Sequence, residues 1–546
     1  MRNTYRVSLA LVIAAGLFVA LPSGGAEAAG GGSPSSKPTP RLLEEAVASG
    51  EIDQATADAH LAEVFAGRGK SDKVSARFQS DEPWDGTMPL FRLQQRLSSQ
   101  PTSPTKARTE SAVATATSCS DGSSPLPFAV TDTHFYIKYG TIGGGLDISS
   151  YAASLEAAWA KQVTSFEWAA PPPLSPPPPA PIGTRYPVRL DALTGGLYGF
   201  VSTRGTGAGF VGNNPNTTWN DVDSHASCMV LNSDFSPFPG TSQQALDATT
   251  AHEFNHSIQF GYGAIAGSNV PDDSFFEGGA TWMEDEVFDS ANDSYNYLWP
   301  NFRDSLGDYD SSPYQFWLML RGLTERFGTG QAGGGEQVMQ DFWEATSKNT
   351  HNNLSALAFG LANKGVSLPD AYHDFAVAAG FMKTCGSGYV LPHCFEEAAG
   401  YVANTGGLPP VAGSISFPGN SFSGTIEDDY ALAWVTLPAS STGYSLTLSN
   451  TSAGGELRAT AVCDTGSGLI RSPLPVVATA GVTTTLPRFS SGGCIRRLAV
   501  ITNQQQSGGN PAASVSRAFS LSTTVIPPNT APVANNDSYD AAEETP

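Results

Sequence analysis

The chain has 546 residues, of which 40% are hydrophobic, and its 29 basic and 51 acidic residues give a formal net charge of −22. This length predicts two or three folded units, and the hydrophobic fraction is adequate for their cores. The acidic balance, with no basic run interleaved with aromatic residues, argues against nucleic acid or an anionic membrane surface as the partner.

The first 28 residues are typical of a signal peptide. Arg2 and Arg6 precede the apolar run "VSLALVIAAGLFVALP", and the small-x-small triplet "AEA" at 26–28 provides a cleavage site. No later apolar run approaches the roughly 20 residues that a membrane-spanning helix needs. We therefore expect a secreted, extracellular protein whose mature form is not inserted in a membrane.

Residues 29–118 are predicted to be a propeptide and linker. "PRLLEEAVASGEIDQATADAHLAEVFAGRG" has helical periodicity, whereas "PTSPTKARTESAVATATS" is typical of an open, cleavable linker. A simple N-terminal helical arm is the alternative interpretation of the same segment.

Two regions with different predicted secondary structure follow. In residues 119–404, strand patterns such as "HFYIKYG", "RYPVRLDAL" and "HASCMVLNSDF" accompany a capped amphipathic helix at "DISSYAASLEAAWAKQV" and then mostly helices. In residues 405–527, short alternating runs such as "YALAWVTL" and "YSLTLSN" predict an all-β sandwich. Residues 528–546 resemble the opening of a tandem immunoglobulin- or cadherin-like repeat, or form a tail. The predicted fold class is α+β.

Six cysteines in an exported chain are expected to form disulfides, because disulfides persist in oxidising compartments. Proximity along the chain predicts the pairs Cys119–Cys228, Cys385–Cys394 and Cys463–Cys494.

The motif that bears on function is "TTAHEFNHSIQFGY", which contains His252, Glu253 and His256. On a helix, residues i and i+4 share one face, so both imidazoles can converge on one metal ion. A catalytic zinc ion takes three protein ligands, so this motif supplies two ligands and a general base. Thr241 and Gln244 predict a capping box at the start of the helix. The alternative interpretation is that the two histidines are ordinary helix residues, either on the surface or as hydrogen-bonded polar groups in the core.

The third ligand must come from another segment. The metzincin pattern is excluded, because Gln259 and Tyr262 stand where it requires glycine and histidine. Glu277, in the second helical pattern "DDSFFEGGATWMEDEVF", can complete a two-histidine, one-glutamate site. It follows Ser274 by three residues, so the acid of a capping box is the alternative role.

HExxH followed after about twenty residues by Glu-Gly-x-Ala resembles the gluzincin metallopeptidases, which include thermolysin and the zinc aminopeptidases. Together with "SSPYQFWLMLRGLTERFG", these motifs resemble a family of secreted bacterial metalloproteases over roughly residues 119–400. The resemblance implies a gluzincin-like domain with a mixed sheet and active-site helices, preceded by a propeptide. It implies zinc ligation by His252, His256 and Glu277, with Glu253 as the catalytic general base. It also implies a substrate peptide along an edge strand, for which "HASCMVLNSDF" is the candidate.

Two further residues match this family. Glu284 matches an acidic position that orients a ligating histidine, or it belongs to a solvated acidic trio with Asp285 and Glu286. Tyr314 resembles the catalytic tyrosine that donates to the oxyanion in some gluzincins, or it packs as an ordinary aromatic residue at a helix start.

The predicted function is hydrolysis of peptide bonds in a protein or peptide substrate, through a zinc-bound water that Glu253 deprotonates. Two alternatives stay open: an inactive, peptidase-like adhesin or binding protein, and a zinc hydrolase acting on another bond. Calcium is a second candidate cofactor, from the acidic loops "NDSYNY" and "GDYDSS", although their spacing is not that of an EF-hand.

Overall fold

The computed structural model describes residues 37–117, 126–174, 180–203, 210–221, 223–263, 270–298, 313–452, 456–477, 481–504 and 516–527. The predicted signal peptide and the residues from 528 onward lie outside these ranges.

The described residues form a mixed α/β structure, compatible with the predicted α+β class. Their α-helices are α1 Thr39–Ala48, α2 Gln54–Ala66, α3 Thr87–Ser99, α4 Pro104–Ala116, α5 Ile148–Trp159, α6 Ser242–Tyr262, α7 Asp273–Val287, α8 Trp317–Phe327, α9 Gln337–Ser347, α10 Asn353–Asn363, α11 Leu368–Phe381 and α12 Ala398–Thr405.

The strands fall into two groups along the chain. The first group is β1 Phe128–Thr131, β2 Phe135–Tyr139, β3 Tyr186–Asp191, β4 Gly199–Thr203, β5 Phe210–Gly212, β6 Ser224–His225 and β7 Ser227–Asn232. The second group is β8 Gly413–Ser414, β9 Ser421–Ile426, β10 Leu432–Thr436, β11 Tyr444–Asn450, β12 Leu457–Asp464, β13 Leu469–Pro473, β14 Thr483–Phe489, β15 Arg496–Asn503 and β16 Arg517–Val525.

Five strands of the first group build a mixed sheet in the order β1-β2-β3-β7-β4, and the other two, β5 and β6, pair with each other. β2, β3 and β7 are parallel, while β1 and β4 pair antiparallel at the two edges. The edge strand proposed from the sequence was wrong, because "HASCMVLNSDF" forms β7, which β3 and β4 flank. β4 is the edge strand on that side of the sheet.

The N-terminal helices pack on this sheet. The hydrophobic core of these helices includes three residues of the sheet region. They are Leu197, which precedes β4, Phe200 on β4 and Val230 on β7. The segment predicted as an open linker differs from that prediction, because it forms α4. Ser103 caps α4 by accepting from Lys106 N–H, and Pro104 occupies its first turn, where no backbone donor is needed.

Residues 413–525 contain a five-stranded sheet, β13-β12-β15-β10-β8, and a four-stranded sheet, β14-β11-β16-β9. Alternate residues of both sheets, such as Ala461 and Ile501 in one and Leu446 and Leu521 in the other, bury themselves in one hydrophobic cluster. This burial follows from the period-two side-chain pattern of a strand. α11 contacts the five-stranded sheet, where Trp434 Nε1 donates to Ala376 O at 2.9 Å.

Two of the three predicted disulfides are confirmed. Cys385–Cys394 and Cys463–Cys494 are bonded, with Cα atoms 5.1 and 5.3 Å apart. Cys228 is also disulfide-bonded, and its predicted partner, Cys119, lies outside the described residues.

Among the described helices, none combines the length and the apolar character needed to cross a bilayer.

Candidate metal centre

The candidate centre lies where α6 and α7 pack against each other. The predicted capping box begins α6, since Thr241 Oγ1 accepts from Gln244 N–H and the Gln244 side chain accepts from Thr241 N–H. From Ala248 to its end every residue of α6 is buried. The helix therefore crosses the molecular interior, and His252 and His256 project from one of its faces.

Three ligand atoms converge in this interior. His252 Nε2 lies 3.1 Å from Glu277 Oε2 and 3.1 Å from His256 Nε2, and His256 Nε2 lies 3.4 Å from the same carboxylate oxygen. Ligand atoms about 2.0–2.1 Å from a tetrahedral ion are separated from one another by roughly 3.3 Å. This buried group can therefore hold a metal ion.

The Nδ1 atoms of His252 and His256 form hydrogen bonds with other side chains. His252 Nδ1 lies 2.7 Å from Glu284 Oε1, and His256 Nδ1 lies 2.7 Å from Gln259 Oε1. Gln259 Nε2 donates to Asn255 Oδ1 and to Phe276 O, which fixes its carbonyl oxygen as the acceptor. His256 Nδ1 is thus a donor, so its Nε2 carries a lone pair in the neutral ring, and an ionised Glu284 assigns His252 the same tautomer. Lone pairs that face one another and a carboxylate are satisfied by a bound proton or by a metal ion, and the donor set suits a metal ion.

Carboxylates dominate the electrostatics of the group. Burial by itself disfavours charge on His252, but Asp85, Glu277 and Glu284 outweigh it and raise its pKa well above 6.5. Burial would raise the pKa of Glu277, but hydrogen bonds from His252 and His256 and their charges lower it to about 2. Glu277 is therefore held ionised, as a metal ligand must be.

Glu253 lies beside the ligands and does not join them. Its Oε2 accepts from Thr87 Oγ1 at 2.5 Å, while Oε1 is buried and has no hydrogen-bond partner among the described residues. Burial raises the pKa of Glu253 to about 8, although the positive charge of His252 opposes this shift. A carboxyl group with a raised pKa and one unpaired oxygen can accept and release a proton.

A close approach of backbone to α7 brings Tyr314 to the group. A Cβ at Gly278 would lie 2.6 Å from Phe316 Cβ, so glycine lets the 3₁₀ segment Pro313–Phe316 rest on α7. The Tyr314 ring is centred 6.2 Å from the His252 ring and stacks on Tyr297 at 4.5 Å. Burial raises the pKa of Tyr314 well above 10, so its phenol stays a hydrogen-bond donor.

A cavity of about 810 Å³ lies against the group. Its lining includes Glu277 and Tyr314 together with Trp84, Asp85 and Met88 of the N-terminal segment. The N-terminal segment and one residue of the metal group, Glu277, therefore border the same cavity.

The structure decides between two pairs of interpretations that the sequence left open. α7 begins at Asp273, so Ser274 lies inside the helix and Glu277 contacts His252 rather than capping. The acidic trio of α7 is buried rather than solvated: Glu284 contacts His252, whereas Asp285 and Glu286 contact Arg321.

Three residues near the group were missed by the sequence reasoning. Gln259 follows His256 by three positions on the same helix face, so its role was visible in the spacing. Asp85 and Thr87 had no such signal, because they lie more than 160 residues before Glu253 and meet it only through the fold.

Among the described residues, the histidine–glutamate group is the one cluster of His, Cys, Asp or Glu side chains close enough to hold a metal ion, and the acidic loop considered for calcium is not part of it. "NDSYNY" forms a 3₁₀ helix, Asp293–Tyr297, in which Asp293 accepts from Asn296. "GDYDSS" lies outside the described residues.

Comparison with known proteins found no matching family model, and no curated protein or solved structure showed significant similarity.

Proposed function

We propose that this chain is a secreted zinc metallopeptidase of the gluzincin type, with a β-sandwich following its catalytic domain. The observation that carries the proposal is the convergence of His252, His256 and Glu277 in a buried group, with Glu253 beside them. Two imidazoles and one carboxylate on two helices are the ligand set of the zinc hydrolases in which HExxH supplies the base.

In this proposal His252, His256 and Glu277 would hold a zinc ion, which would supply an activated water and polarise the scissile carbonyl. Glu284 and Gln259 keep both imidazoles oriented, since each accepts from an Nδ1–H at 2.7 Å.

Glu253 takes the proton of the attacking water on its free Oε1 and returns it to the leaving amine. A divalent cation beside Glu253 would favour its ionised form and so oppose the effect of burial on its pKa. General acid–base work of this kind contributes about 10²–10⁴-fold to the rate. Tyr314 is proposed to donate its phenol proton to the oxyanion, as a hydrogen bond that strengthens in the transition state.

The test compares wild type with Glu253→Gln, measuring zinc content and casein hydrolysis after cleavage of the chain between Thr117 and Leu126. We expect the variant to retain zinc and to lose at least about 100-fold in hydrolysis rate, because only the proton acceptor is removed. Glu336→Gln is the matched control, since Glu336 is equally buried but lies outside the metal group.

Two results would contradict the proposal. Equal hydrolysis by wild type and Glu253→Gln would remove Glu253 from the reaction. Processed wild type that holds zinc but cleaves no peptide in a diverse library would favour the alternative of a peptidase-like binding protein.

A further inference from the structure

The edge strand beside Glu253 is covered by the chain's own N-terminal segment. β4 is the last strand of the mixed sheet, and a sheet edge presents unpaired backbone groups that an extended chain can pair with. Here that pairing is made by residues 84–87, which end at the first residue of α3.

The backbone contacts form a short parallel ladder around the bridge between Trp84 and Leu197. Trp84 N–H donates to Gly196 O at 2.9 Å, and Tyr198 N–H donates to Trp84 O at 3.1 Å. Gly86 N–H then donates to Gly199 O at 2.9 Å. Three successive main-chain hydrogen bonds therefore bind this segment at the start of β4.

Thr87 joins this edge to the proposed general base. Its Oγ1 accepts from Val201 N–H at 2.7 Å and donates to Glu253 Oε2 at 2.5 Å. One hydroxyl thus satisfies the next backbone donor of β4 and engages a carboxylate that is 0% exposed. A peptide could not reach Glu253 along β4 while Thr87 holds this position.

The fit of the segment is closest at Gly86. A Cβ at this position would lie 2.9 Å from Leu197 Cδ1 and 3.0 Å from Gly199 O, so a branched side chain there would crowd the start of β4. Two outer contacts secure it as well: Arg92 Nε donates to Asp273 Oδ1 at 2.8 Å, and the Phe91 ring is centred 5.5 Å from Phe260.

Asp85 adds a buried carboxyl group to the same cover. It is 6% exposed, lines the cavity beside Glu277, and acts on the charges of His252 and Glu277. Thr87 and Asp85 thus bring both a hydroxyl and a carboxylate of the N-terminal segment to the metal group.

We propose that the N-terminal segment 37–117 is an intramolecular inhibitor whose residues 84–87 occupy the edge of β4 and engage Glu253 in place of substrate. The inference rests on the proposed peptidase function and adds its regulation. The segment pairs along the start of β4, so its release exposes this edge and frees Oε2 of Glu253 from Thr87.

The experiment uses the full, uncut chain and three single variants. Thr87→Val removes the hydroxyl at nearly constant shape, and Gly86→Val forces the segment from β4. Thr105→Val is the matched control, because Thr105 is exposed on α4, away from the edge. Each protein is measured for zinc content, for hydrolysis of a quenched peptide library, and for hydrogen exchange at the amides of Tyr198 and Val201.

We expect equal zinc content in all four proteins. Hydrolysis should rise about tenfold in Thr87→Val and further in Gly86→Val, with no change in Thr105→Val, because one buried hydrogen-bonded hydroxyl is worth roughly a factor of ten. Exchange at the Val201 amide should accelerate in Thr87→Val, and at both amides in Gly86→Val.

Two outcomes separate the inference from the function on which it rests. Hydrolysis by the uncut wild type at the rate of both variants, with unchanged amide exchange, would overturn the inhibitor. Accelerated exchange without hydrolysis in any zinc-loaded protein would overturn the peptidase, while supporting the segment as the cover of β4. If Gly86→Val does not fold, the hydrolysis rate and the amide exchange of Thr87→Val are sufficient to test the inference.

Discussion

Two buried histidine environments in this chain differ in what surrounds the imidazole. His252, 1% exposed, has Glu277 Oε2 at 3.1 Å from Nε2 and Glu284 Oε1 at 2.7 Å from Nδ1. His373 on α11 is 6% exposed and lies between two hydroxyls, with Thr502 Oγ1 at 2.9 Å and Thr460 Oγ1 at 2.8 Å.

The two environments shift the histidine pKa in opposite directions. Burial disfavours the imidazolium in both. At His252 the surrounding carboxylates reverse that effect and raise the pKa. At His373 burial, assisted by the charge of Arg458, lowers the pKa to about 3. A buried histidine is therefore not in itself a sign of a metal site, whereas a carboxylate shared by two ring nitrogens is.

The largest expected difference is in zinc retention, between His256→Leu and His373→Leu. Losing one of three ligands should weaken zinc binding by more than the 10–100-fold that orienting residues are worth, so His256→Leu should lose the metal on dialysis. His373→Leu should keep zinc and lose about 1–3 kcal/mol of folding stability, because the hydroxyls of Thr460 and Thr502 lose their partner.

Metal analysis after dialysis, together with denaturant unfolding, checks both expectations. Zinc retained by His256→Leu and lost by His373→Leu would reverse the assignment of the two sites.

The second prediction concerns acid stability at His373. A histidine with a lowered folded-state pKa contributes stability that is present above its unfolded value of 6.5 and is lost as the pH falls toward about 3. The contribution lost by about pH 4 is on the order of 3 kcal/mol. Wild type should therefore lose more stability than His373→Leu between pH 7 and pH 4.

Denaturant unfolding of the two proteins at both pH values measures this difference. Parallel losses in wild type and His373→Leu would mean that His373 accepts a proton in the folded protein.

The smallest expected effect is the difference in zinc affinity between substitutions of Glu284 and Gln259, the two residues that orient the histidine ligands. Glu284→Met should weaken zinc affinity by about 10–100-fold, because His252 Nδ1–H loses a carboxylate that a nearby cation favours in its ionised form. Gln259→Met removes a neutral amide from His256 and should cost less, near the lower end of that range. Competition with a chromogenic chelator compares them, and a larger loss in Gln259→Met would contradict the role given to Glu284.

Local signals predicted the parts of the centre that lie on single helices. The capping box of Thr241 and Gln244 and the spacing of His252 and His256 depend only on positions within α6, and both appear in the structure. Glu277 was predicted from a second local pattern, although its contact with His252 arises from the packing of α6 on α7.

The features that the sequence did not predict depend on contacts between residues far apart in the chain. The position of β4 at the sheet edge depends on which strands pair, so the choice of β7 as the edge was wrong. Thr87 meets Glu253 across 166 positions of the chain, and no spacing rule connects them. By contrast, α4 was available from local signals, since Ser103 and Pro104 are a helix start that the Ser/Thr/Pro-rich composition obscured.

The most direct test of the metal centre is X-ray absorption spectroscopy at the zinc edge on the full chain loaded with one equivalent of zinc. We expect two imidazole nitrogens at about 2.0–2.1 Å and one carboxylate oxygen at about 2.0–2.2 Å, with one nitrogen lost in His256→Leu. A shell of oxygen atoms alone, unchanged by substitution of His252, His256 or Glu277, would contradict a zinc site at this group.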